Sequence, residues 1–103
     1  MKITFDPAKR DLTLTRRGLD FARAGEVFAG RTATITDDRF DYGESRFITA
    51  GHLDRRLVVM VWTPRERSRA SSTRYGGDAR HIISMRYCHA KEEKIWLRRM
   101  ERS

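Results

Sequence analysis

Residues 57–62 read Leu57-Val58-Val59-Met60-Val61-Trp62, six apolar side chains in succession. Successive side chains of a strand point to opposite faces, so an unbroken apolar run of this length is a strand covered on both sides. This strand anchors the core, and the flanking sequence is read against it. On its N-terminal side, Gly51 to Asp54 reads as a turn. Before that turn, Glu44 to Ala50 alternates, with Arg46, Ile48 and Ala50 on one face and Ser45, Phe47 and Thr49 on the other. Thr32 to Thr36, rich in Thr and Ile, is a further strand, joined to the previous one through a turn containing Asp37, Asp38, Asp41 and Gly43.

Nearer the N-terminus the period changes. Lys2 to Phe5 is a short strand. Asp6-Pro7 then starts a helix that runs to about Arg16, where Arg16-Arg17 complement the helix dipole and Gly18 supplies the left-handed residue that ends it. Asp20 caps a second helix whose apolar stripe is Phe21, Ala24, Val27 and Phe28, stopped at Gly30. On the C-terminal side of the central strand, residues 64–80 have almost no apolar content and read as a long polar loop. His81 to Tyr87 follows as a strand; regular alternation places Ile82, Ser84 and Arg86 on one face and His81, Ile83, Met85 and Tyr87 on the other. A helix from about Ala90 to Met100 aligns Glu92, Trp96 and Met100. Helices followed by consecutive strands indicate an α+β fold with a mainly antiparallel sheet.

The chain has 103 residues, with 22 Lys and Arg against 14 Asp and Glu, a formal charge of +8. That length makes residues 1–103 a single domain and excludes large multi-domain enzymes. The longest apolar run is far short of a membrane span, and Met1 to Asp6 lacks the apolar segment of a secretory signal. Cys88 is the only cysteine, so no intrachain disulfide forms and a cytoplasmic location is expected. Positive charge gathers at both ends and in residues 64–80, a distribution that attracts polyanions such as nucleic acid or an acidic protein. Cys88 with His81 and His89 makes no zinc site, and there is no glycine-rich phosphate loop, so neither a metal nor another cofactor is expected.

An ordered set of motifs goes further. Asp6-Pro7-x-Lys9, Gly18-Leu19-x-Phe21, Arg46-Phe47-Ile48, Val61-Trp62-Thr63, Ile82-Ile83-Ser84-x-Arg86, and then Glu92 and Trp96 together resemble the BrnT family, small toxins of bacterial type II toxin-antitoxin systems. The resemblance implies a RelE-like fold, with two N-terminal helices on a curved, mainly antiparallel sheet and a C-terminal helix beside its open face. It implies a ribonuclease that arrests translation and is neutralised by a BrnA-type antitoxin. That antitoxin carries a ribbon-helix-helix domain, so operator DNA is engaged only through it. The family's arginine ahead of the Gly-Asp turn corresponds to Arg65 or Arg74, and its histidine before the first glycine is Arg17 here.

Metal-free RNA cleavage must remove a 2′-hydroxyl proton, stabilise charge at phosphorus and protonate the leaving 5′-oxygen. Arg46 and Arg86 are candidates for holding the scissile phosphate, or else pair with Glu44 or Glu92. Glu92 is a candidate general base or a helix N-terminal residue; His89 is a candidate proton carrier, preferred to His81, which regular alternation turns away from Arg86. Lys9, Arg65, Ser84 and Trp62 are candidate RNA contacts, Trp62 either by stacking or as part of the core. A catalytically inert co-repressor that binds the antitoxin, or a plain RNA-binding module, is the alternative function.

Overall fold

The computed structural model describes residues 1–65 and 79–102. Five strands form one sheet: β1 (Lys2–Phe5), β2 (Thr32–Thr36), β3 (Phe47–Leu53), β4 (Arg56–Arg65) and β5 (Ala79–Tyr87), in the spatial order β1-β5-β4-β3-β2. β2 to β5 pair antiparallel, whereas β1 lies parallel to β5, so the α+β fold carries a mixed sheet. The helices among the described residues are α1 (Pro7–Arg17), α2 (Ala24–Ala29), entered through a 3₁₀ turn at Phe21–Arg23, and α3 (Ala90–Arg102).

Local chemistry sets the helix ends as the sequence predicts. The Asp6 carboxylate accepts the Ala8 N–H at 2.9 Å, and Gly18 ends α1 at φ 71°. Asp20 accepts the Ala22 N–H at 2.9 Å and also holds Arg10 with both carboxylate oxygens, each at 2.9 Å. α1 buries no residue, so polar contacts fasten it: the Arg10–Asp20 pair, and the Arg17 guanidinium donating to the Met85 carbonyl at 2.8 Å.

The sheet is covered unequally on its two faces. On one, Leu19, Phe21, Ala24 and Val27 pack against Val58, Met60, Trp62, Ile82 and Met85. On the other, Trp96 and Met100 of α3 pack against Ala33, Ala50, Leu57 and Val59. β4 therefore contributes alternate residues to both cores, each large side chain adding about 1.5–3 kcal/mol.

The structure corrects three local expectations. Gly51 to Asp54 is not a turn: β3 runs to Leu53, and the hairpin closes on Asp54 and Arg55, both at positive φ (49° and 68°), in the two-residue geometry whose twist suits paired strands. Gly51 is instead a packing residue beneath α2, where an added Cβ would lie 2.7 Å from Val27 Cγ1 and 3.0 Å from Thr32 Cγ2. Pro64, Arg65, Ala79 and Arg80, assigned above to a polar loop, are paired strand residues, and Arg80 lies over the Phe28 and Trp62 rings at 4.4 and 4.6 Å. The rest of that loop, Arg74 included, lies outside the described residues. Alternation along β5 is also broken. Ser84 faces Val61 while Ile82 faces Trp62, so Ile83 is an extra residue, a β-bulge.

Gly51→Ala should lower the free energy of unfolding by about 1–3 kcal/mol, because the new methyl overlaps Val27 in a packed core. Urea denaturation of both proteins measures this; equal midpoints would show that α2 is free to move away.

Candidate nucleic-acid interface

α3 covers only part of its face of the sheet, because Trp96 and Met100 are its buried residues. The rows of facing residues beyond the covered one are half-buried: Ile48, Val61 and Ser84, then His81 and Thr4 beside the buried Thr63. This open strip is bounded at each end by arginine held by carboxylate.

At the α3 end, Arg86 donates to both oxygens of Glu92, whose Oε1 also accepts the His89 N–H at 3.0 Å. The Glu92 N–H donates in turn to the His89 carbonyl at 3.0 Å, so Glu92 at the third helical position makes the carboxylate half of a capping box. The Arg86 hydrogen bond, aided by the His89 N–H, outweighs burial and pulls the Glu92 carboxyl down from 4.5 to about 2. The same contacts that keep Glu92 charged tie Arg86 to the start of α3. His89 itself is exposed and contributes to the cap through its backbone.

At the other end, Glu44 gathers two arginines. Its carboxylate lies 3.4 Å from Arg46 Nε and 3.9 Å from Arg65 Nη2. The Arg46 guanidinium also stacks on Tyr42, 3.8 Å from the ring centre. The hydroxyl of buried Thr63 donates to the Ser45 carbonyl at 2.6 Å and fixes this segment beside β4. Arg46 and Arg86 share a sheet face, as the two-residue period from Ile48 and the Val59–Arg86 pairing require. Four residues along the strands and two strands across, they stand about 16 Å apart at Cα. Arg46 thus lies beside Arg65, and Arg86 lies at a separate position on the same face.

The remaining candidates divide. Ser84 and Ile83 line a shallow groove with Lys9, Leu12, Thr13, Arg16 and Arg17 of α1, which extends the strip over the sheet edge. Trp62 does not reach it: the ring is 8% exposed, packs between Phe28 and Phe47, and donates its indole N–H to Thr49 Oγ1 at 2.8 Å. It belongs to the core. His81, set behind His89 because regular alternation turned it away from Arg86, instead shares Arg86's face, its Nδ1 2.8 Å from the Oγ1 of Thr4, a residue the sequence did not single out. A bulge leaves no local signature in composition, so regular alternation hid this pair.

The chain matches the family model described as ribonuclease toxin, BrnT, of type II toxin-antitoxin system, over residues 5–92. No curated protein matches it. Among the described residues no helix is long and apolar enough to cross a membrane.

Because the Glu92 carboxyl titrates lower in the folded than in the unfolded chain, its stabilisation is complete above about pH 4.5 and is lost as pH falls towards about 2. Glu92→Gln should cost about 1–2 kcal/mol at pH 7, with the gap to the parent closing across that acidic window. Denaturant titrations at pH 7 and pH 3 check both the size and the sign.

Proposed function

Since the chain belongs to the BrnT family of ribonuclease toxins of type II toxin-antitoxin systems, we propose that it is an endoribonuclease whose cleavage centre is the open sheet strip, working without a metal. The observation that carries this reading is the Glu44 carboxylate, which holds the Arg46 and Arg65 guanidinium groups side by side on a partly apolar face. Paired guanidiniums match the oxygens of a phosphodiester and stabilise the charge that grows as a 2′-oxygen attacks phosphorus.

Arg86, oriented by Glu92, takes a neighbouring phosphate of the same strand. Lys9 and Ser84, in the groove by α1, carry the RNA backbone past the sheet edge. Uncoiled single-stranded RNA suits such a surface, since Ile48 and Val61 offer apolar contact to sugars and bases between the two charged ends. The cognate antitoxin is of BrnA type, covers this strip, and brings the complex to operator DNA through its own ribbon-helix-helix domain, so that the operon is co-repressed.

Produced alone in bacteria, the chain should arrest growth and degrade RNA, and the purified protein should cut RNA in the presence of EDTA. Arg46→Ala and Arg65→Ala should each slow cleavage by about 10²-fold, the cost of removing one preorganised charge from such a site. Intact RNA together with altered operator binding by the antitoxin would support the co-repressor instead.

A further inference from the structure

His81 has the surroundings of a working acid-base group, and the β5 bulge puts it where it can act. Without the extra residue at Ile83, His81 would point beneath the N-terminal helices. With it, His81, Ser84 and Arg86 face the same side as Val59, Val61 and Thr63. The imidazole is half-buried on the open strip, with Nδ1 2.8 Å from the Thr4 hydroxyl; among the described residues Nε2 has no hydrogen-bond partner. A hydroxyl donates or accepts as required, so Thr4 orients the ring while supporting either tautomer.

Among the described residues, the charged groups that act on the ring come from several elements: Arg65 of β4, Glu44 from the segment before β3, Lys9 of α1 and Asp6 ahead of it. Burial and then Arg65 lower the imidazole's proton affinity, against Glu44 and Asp6. These influences favour the uncharged ring, the form able to accept a proton. Arg65, which shares Glu44 with Arg46, is two residues along β4 from Thr63, the residue paired with His81, and so lies on the same face.

We propose that His81 is the general base of the cleavage reaction, positioned by Thr4 and acting on a phosphate held by Arg46 and Arg65. This rests on the ribonuclease reading and assigns its proton acceptor. The 2′-O–H bond breaks and its proton passes to His81 Nε2; the 2′-oxygen forms a bond to phosphorus as the P–O5′ bond breaks; the 5′-oxygen takes a proton from water. The products are a 2′,3′-cyclic phosphate and a 5′-hydroxyl, and the protonated ring returns its proton to solvent.

Single-turnover cleavage of a short RNA by the full chain tests this, with binding read separately on the same sequence bearing 2′-O-methyl groups. His81→Gln should cut on the order of 10² to 10⁴-fold more slowly while binding the methylated RNA within about threefold of the parent. Thr4→Val should slow cleavage less and shift its pH midpoint. In the unsubstituted protein the rate should fall at acid pH with a midpoint matching the NMR titration of the His81 ring, below the ordinary histidine value. That comparison holds even if a variant fails to fold. Parental cleavage by folded His81→Gln, or kinetic and NMR midpoints that disagree, overturns the assignment and leaves the ribonuclease reading standing. An unsubstituted chain that binds RNA and leaves it intact overturns both.

Discussion

The double burial of β4 is the constraint from which the rest follows. Val58, Met60 and Trp62 must lie under the N-terminal helices, so Leu57, Val59 and Val61 necessarily face the other way and need a second cover. α3 supplies that cover with Trp96 and Met100, and its reach ends near Val59. The strip beyond is therefore half-buried sheet, backed on its other face by a packed core, and among the described residues no helix lies above it. Rigid strands position charged side chains more closely than loops do.

Carboxylates then organise the arginines on that strip. Glu92 fixes Arg86 against the start of α3, and Glu44 draws Arg46 and Arg65 together. In both cases the pair is partly exposed, so its net contribution to stability is modest, and its main effect is geometric. Arg86, hydrogen-bonded to Glu92, and Arg46, stacked on Tyr42, are oriented before any ligand arrives, which lowers the ordering cost of binding.

Much of this was legible in the sequence because the signals were local. Asp6, Gly18 and Asp20 act within a few residues, and the Trp96–Met100 spacing reports one helix face. The apolar run at 57–62 marks a doubly covered strand whatever surrounds it. The errors have a common physical origin in long-range context. Gly51 resembles a turn residue until Val27 of α2 is packed above it, and Asp54-Arg55 lacks the glycine that usually announces such a hairpin. Ile83 is ordinary in sequence, yet its bulge reverses the face of every β5 residue before it. Glu44 was recognisable as a partner for Arg46; that it also reaches Arg65 depends on how β3 and β4 are aligned.

The double use of Glu44 has a consequence for how the surface behaves at rest. Nucleic acid carries condensed cations, whose release when lysines and arginines neutralise its phosphates drives association and makes it sensitive to added salt. Here the two arginines already have a tethered anion, so a phosphodiester arriving at that spot must displace a side-chain carboxylate in addition to shedding its own condensed cations. On the ribonuclease reading proposed above, the carboxylate is a built-in competitor, one that tempers indiscriminate adhesion to polyanions and gives way to a strand with further contacts at Arg86 and along α1.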